Sequence, residues 1–357
     1  MNAAREKPNA TPMGDDGMRT LKLRRYEGNP ILVPDDRPWR NVVTFNPGAI
    51  VDEGVFYLVE RACSSLVPFV CQFGLWKSMD GFHFELVREE PVFTREHIGC
   101  PEGTVEDPRL AKYGDTFYMT YVQRNYTPEC YPHGKGVPTY VRIAHVPGDD
   151  PNNYRSGMAR SKDLVHWEDM GLVTPPDNDD RDCVLFPEKV NGRFAMLRRP
   201  MYCVGPEYGC DRPSIWLSYS DDLMHWEAPV LVAAAQNDTW EQRKIGASGQ
   251  PVRTDRGWLM LYHGVDERAV YRTGVMLLDL DDPTRVIARA PDVIFEPEAF
   301  YEITGLVIPR VVFPSATVAH DGTLFVYYGC CDTWIGVATV ALAEILDYVC
   351  AFPRQDL

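Results

Sequence analysis

No run of 18 apolar residues occurs anywhere in the chain, which leaves no candidate for a membrane-spanning helix. The first 25 residues, MNAAREKPNATPMGDDGMRTLKLRR, contain no apolar stretch of seven, so no secretory signal is read there and a cytoplasmic location is expected. Positive charge is also in short supply. Thirty-six Lys and Arg face 51 Asp and Glu, and the resulting charge of -15 argues against nucleic acid or an anionic membrane as partner. Any anionic ligand would need a local cationic pocket. H-E-x-x-H and C-x-x-C are both missing, so no metal and no cofactor are expected. The ten cysteines are scattered, as in the seven-residue spacing of Cys203 and Cys210 or the adjacent Cys330 and Cys331, and are expected to be mostly reduced core residues. Long amphipathic helical periodicity is absent as well.

What is present is an internal repeat. DEGVFYLVERA (52–62), YGDTFYMTYVQ (113–123), VNGRFAMLRRP (190–200), DRGWLMLYHGV (255–265) and HDGTLFVYYGC (320–330) each open with a Gly-containing turn that feeds an apolar strand. Their marker glycines, Gly54, Gly114, Gly192, Gly257 and Gly322, are spaced 60, 78, 65 and 65 residues apart. A second motif, WKSMDGFHFE (76–85), MARSKDLVHWE (158–168) and LSYSDDLMHWE (217–227), pairs a Ser-x-Asp turn with an aromatic-Glu strand. Asp163, Asp221, Trp167 and Trp226 are read there as turn-shaping and space-filling residues. Five units longer than WD40 blades predict an all-β, five-bladed β-propeller spanning 26–357. It would be preceded by a polar leader over 1–25, disordered or an oligomer contact, and closed by a short helix after Ala341. The 123–153 stretch accounts for the long interval and is a candidate lid or acceptor loop.

Polar residues beside the inner strands are the natural site candidates. GTVEDPRL (103–110) sets Glu106, Asp107 and Arg109 around a proline that disfavours helix at Asp107. That segment fits a proton-donating carboxyl and an Asp-Pro turn with a surface ion pair equally well. Arg155, Arg198, Arg199, Lys244 and His263 supply cationic or donor groups from different blades, as an oxyanion pocket in an acidic protein would require; each taken singly could be a structural ion-pair partner.

The ordered series GNPIL (28–32), FNPGAI (45–50), EDPR (106–109), SKDLVHWE (161–168), LFPEK (185–189), KIG (244–246), YEITG (301–305) and YYGCCDT (327–333) resembles glycoside hydrolase family 130 over nearly the whole chain. The resemblance implies a propeller that transfers a mannosyl unit from a β-mannoside, such as a manno-oligosaccharide, to inorganic phosphate with inversion. It implies Asp107 as the acid, acting on the leaving oxygen through a sugar hydroxyl. Arg155, Arg199, Lys244 and His263 would contact phosphate, and Asn46, Arg61, Asp182 and Asp332 would line the mannosyl subsite. Homo-oligomers would also be in keeping with the family. Two departures stand out: Arg198 replaces a frequent histidine and Glu60 a common tyrosine. The alternatives are a hydrolase on the same scaffold, an arabinanase-like or invertase-like glycosidase, and a non-catalytic sugar-binding propeller. The arabinanase-like enzymes need an Asp base where this chain has Asn46, and an amide cannot serve as a base.

Overall fold

The computed structural model describes residues 20–66, 69–101, 103–124, 154–176 and 178–354. Five antiparallel sheets follow one another along the chain. Blade 1 comprises β2 (Val43–Asp52), β3 (Val55–Leu66), β4 (Phe69–Ser78) and β5 (Glu85–Leu86). Blade 2 comprises β6 (Thr104–Tyr113), β7 (Thr116–Arg124), β8 (Arg155–Ser161) and β9 (Trp167–Leu172). Blade 3 is built from β10 (Asp180–Leu185), β11 (Phe194–Pro200), β12 (Ile215–Ser220) and β13 (Val230–Ala233). Blade 4 contains β14 (Lys244–Ala247), β15 (Val252–Arg253), β16 (Trp258–Val265), β17 (Tyr271–Leu278) and β18 (Val286–Arg289). Blade 5 contains β19 (Val312–His320), β20 (Thr323–Cys330) and β21 (Trp334–Ala341).

The ring is closed by the first strand of the described residues. β1 (Arg24–Arg25) pairs with β21 as the outer strand of blade 5, Arg24 opposite Thr339 and Arg25 opposite Ala338. Leu21 and Leu23 are buried beside it. Residues 20–25, assigned to the leader from sequence, therefore belong to the propeller: two buried leucines and a strand pairing outweigh the flanking charges. A short helix α1 (Phe300–Ile303) precedes β19, and α2 (Leu342–Cys350) packs Ile345, Leu346 and Val349 against blades 4 and 5. No helix of the described residues is long and apolar enough to cross a membrane.

The five marker glycines all have positive φ, as the hairpin turns require. The strands after them are apolar on both faces because each sheet is covered by its neighbours; all eight residues of β16 are buried. The core therefore lies in wedges between blades, with Val59, Phe73 and Leu75 meeting Val105, Leu110 and Met119 between blades 1 and 2. Each such side chain contributes about 1.5–3 kcal/mol by leaving water.

The Ser-x-Asp motif forms one turn three times. Asp80, Asp163 and Asp222 each accept backbone N–H bonds two and three residues on and contact Nδ1 of His83, His166 or His225 at 2.7 Å. The turn carboxylate in blade 3 is thus Asp222. Asp221, chosen from sequence, instead pairs with Arg193 on the surface. The expectation of reduced cysteines also needs correction at one place, because Cys63 and Cys71, opposed across β3 and β4, form a disulfide. The 123–153 loop lies, from 125 onward, outside the described residues.

Candidate active site

The innermost strands of blades 1, 2 and 3 carry the same distortion at the same level. In each, a bulge interrupts the register, after Phe45, after Glu106 and after Arg181. The residue that follows has left-handed backbone: Asn46 (φ 44°), Asp107 (φ 50°) and Asp182 (φ 52°). Asn and Asp tolerate that conformation better than other side-chain-bearing residues, and a bulge re-aims its side chain away from the regular pleat. All three line a cavity of about 520 Å³ at the centre of the ring. Blade 4 contributes Lys244, His263 and Tyr271 to it, and blade 5 Phe313 and Asp332.

One side of the cavity is organised around Arg61. Its Nη1 donates to Asp107 Oδ1 at 2.8 Å, its Nη2 lies 3.0 Å from Glu106 Oε2, and its guanidinium stacks 4.3 Å from the Phe45 ring centroid. Asn46 Nδ2 donates to the same Asp107 oxygen at 3.0 Å. Asp332, also left-handed (φ 49°), completes this side. Burial, reinforced by the charges of Asp107 and Glu106 and opposed by Arg61, pushes its carboxyl up to about 7.

The other side is cationic. Arg199 Nε lies 3.1 Å from Asp182 Oδ2, and Arg199 Nη1 donates to His263 Nε2 at 3.3 Å. A guanidinium can only donate, so His263 must accept there and is neutral. Burial first, then Arg199 and Lys244, hold it well below the usual imidazole range. Lys244 is pushed down in the same way by burial and by the nearby charges of Arg199 and Arg181. It makes no ion pair among the described residues, and its Nζ sits 5.1 Å from the Tyr271 ring centroid. Cations this close repel one another, and an anion seated among them would relieve the cost.

Two glycines make the approach possible. A Cβ on Gly246 of the KIG segment would lie 2.1 Å from Asp182 Oδ2, and one on Gly329 of YYG would lie 2.0 Å from Asn46 Oδ1.

The structure thus brings Asn46, Arg61, Asp107, Asp182, Arg199, Lys244, His263 and Asp332 to one cavity. Asp182 stands with the cations and not with Arg61. Arg155 does not line the cavity; it begins β8 and donates Nε to the Pro176 carbonyl. Arg181 and Arg243 line the cavity instead. Sequence reasoning missed Arg181, although it precedes Asp182 as Phe45 precedes Asn46 and Glu106 precedes Asp107; aligning FN, ED and RD across blades would have found it. Arg198 is structural: its side chain is buried and bonded to Asp180, with Nε at 2.9 Å from Oδ2. Glu60 is equally occupied, accepting from Arg40, Thr44 and Trp76 Nε1 (2.7 Å).

A carboxyl facing a cationic cluster in the cavity of a five-bladed propeller gives the elements that acid-assisted chemistry with an anionic co-substrate requires. The chain belongs to glycoside hydrolase family 130, whose profile, described as beta-1,4-mannooligosaccharide phosphorylase, matches residues 19–351. It is 35% identical over 332 residues to a 1,2-beta-oligomannan phosphorylase of Thermoanaerobacter sp., covering 91% of this chain and 99% of the relative. It is 30% identical over 337 residues to a beta-1,4-mannooligosaccharide phosphorylase of Ruminococcus albus, covering 91% and 90%. The beta-1,2-mannobiose phosphorylase structure from Listeria innocua superposes with a TM-score of 0.75 at 24% identity, covering 93% of this chain and all of that one.

Proposed function

We propose that this protein is an inverting β-mannoside phosphorylase in which Asp107 is the general acid and phosphate sits among Arg181, Arg199, Lys244 and His263. The observation that carries this reading is the division of one cavity between the Asp107–Arg61–Asn46 cluster and the self-repelling cations opposite. A phosphate oxygen attacks the anomeric carbon and forms the new C–O bond as the glycosidic C–O bond breaks. The departing oxygen takes a proton that Asp107 supplies, directly or through a sugar hydroxyl, and the products are α-mannose 1-phosphate and the shortened sugar. Phosphate is already nucleophilic, so the base of an inverting glycosidase is dispensable. The reaction as written uses no cofactor. It consumes inorganic phosphate and yields a sugar phosphate, which favours a cytoplasmic setting, testable by cell fractionation.

The linkage is assigned to β-1,2 first. The Thermoanaerobacter relatives, named for β-1,2-oligomannan and β-1,2-mannobiose, are 35% and 36% identical, against 30% and 32% for two relatives named for β-1,4 linkages; a beta-1,2-mannobiose phosphorylase of Listeria innocua is 29% identical. Incubation with β-1,2- and β-1,4-manno-oligosaccharides, each with and without phosphate, tests both points. Mannose 1-phosphate from the β-1,2 substrate is expected. Free mannose released equally without phosphate would make the enzyme a hydrolase, and reaction confined to β-1,4 substrates would reverse the linkage.

A further inference from the structure

Arg109 takes no part in the contacts described above, yet it is only 4% exposed and all three of its guanidinium nitrogens are buried without a hydrogen-bond partner among the described residues. Charged groups left in that condition are rare, because burial removes their water and nothing replaces it. Its neighbours are the aromatic face of Phe313, 5.5 Å from the ring centroid, and the carboxylates of Asp107 and Asp182, which both attract it. The strand dictates this position. The bulge at 107–108 ends where Arg109 rejoins the register opposite Thr120, on the blade 2 face that meets blade 3.

A small void of about 10 Å³ is lined by Arg109 itself with Asp107, Thr120, Ser156, Asp182 and Cys183. That is about the room one water needs. Its surface is mostly apolar, with Tyr121 and Val122 also in the lining, and the polar share comes from the few hydrophilic side chains around it. Thr120 Oγ1 donates to the Cys183 carbonyl and Ser156 Oγ to the Asp180 carbonyl, and a hydroxyl that donates can still accept.

We infer that Arg109 is a positioning residue: through one water held in this void it links the carboxylates of Asp107 and Asp182, setting the proton donor and the seat of Arg199 and His263 relative to one another. The inference rests on Asp107 being the acid. It adds a single buried cation that ties the two sides of the cavity together from beneath, where neither sugar nor phosphate need touch it.

The test compares Arg109→Met and Arg109→Lys with the unmodified enzyme, following phosphorolysis as a function of pH and thermal unfolding as a check on folding. Loss of the cation should lower kcat by about 100-fold with KM for the mannoside changed less than about threefold, since the substrate contacts are intact. Removing positive charge beside the carboxyls makes them harder to ionise, so the alkaline limb of the kcat profile should move to higher pH in the methionine variant. The lysine variant should return the limb to its original place and recover part of kcat. Both variants folded and within about threefold of the original kcat, or a lower kcat with an unmoved limb and no rescue by lysine, would overturn the inference. Should the methionine variant not fold, the lysine variant decides alone: kcat down about tenfold with the limb in place supports the assignment, and unchanged kcat sinks it. A high-resolution crystal structure adds a direct reading, since density for a water bonded to Arg109 is expected in the void, and a dry void would refute the link. Full activity of Asp107→Asn would instead remove the acid assignment, a failure separable from that of Arg109.

Discussion

The outer Ser-x-Asp turns and the inner bulges are both repeated three times around the ring, but they repeat different things. The turns keep backbone and side chain alike: Asp80, Asp163 and Asp222 accept the same bonds from the same positions. The bulges keep the backbone but change the side chain at one position and its partners at all three. At nearly one φ the chain places Asn46, Asp107 and Asp182, an amide, the proposed acid and the seat of the cations. A turn works on its own segment, so one solution serves every blade. The bulges face a shared cavity in which three identical carboxylates would repel, so symmetry of backbone had to be broken in side chain.

If that contrast holds, the largest effect belongs to Asp107. Asp107→Asn should keep the fold, because Asn accepts the left-handed backbone, and lower kcat by about 10³-fold while phosphate still raises the melting temperature. Next comes Lys244→Met, expected to raise KM for phosphate by at least about tenfold and to abolish the phosphate-induced thermal shift, as differential scanning fluorimetry would register. Asn46→Asp restores the symmetry. It sets a second carboxylate 3.0 Å from Asp107, where the amide now donates, and should cost about tenfold in kcat with little change in melting temperature.

Asp332 gives a pH-dependent effect. Its folded carboxyl holds a proton up to about 7, whereas an unfolded aspartate releases it near the ordinary value of 3.8. The group's contribution to stability is therefore complete below about pH 4 and is lost as pH rises through 7. Denaturation of Asp332→Asn beside the unmodified protein should show the variant gaining roughly 4 kcal/mol between pH 4 and 8, and a pH-independent difference would refute the raised value. The smallest effect is at the turns. Asp163→Ala should cost about 1 kcal/mol in urea unfolding and leave kcat unchanged.

Much of the fold was legible because hairpin turns and buried strands write a local signal. The marker glycines need positive φ wherever they occur, and apolar runs such as WLMLYHGV mark strands covered on both faces. The closing strand was not legible, because Arg24 and Arg25 look like any charged leader until β21 is beside them. In the site, Asp107, Arg199, Lys244 and His263 were found from motifs. Arg155 was taken from the family resemblance and Arg181 was missed, because only the bulge in β10 aims Arg181 at the cavity and a bulge leaves no local signal in the sequence.

The sequence by itself determined the five-fold repeat, the turn chemistry, and the stock of carboxyl and cationic groups available for the reaction, since each of these depends on residues close together in the chain. Tertiary structure alone decided which of those groups meet. The burial that lifts Asp332, depresses Lys244 and leaves Arg109 without an acceptor among the described residues is a property of the ring assembled, because it arises from charges contributed by different blades and from the water they lose when the blades close.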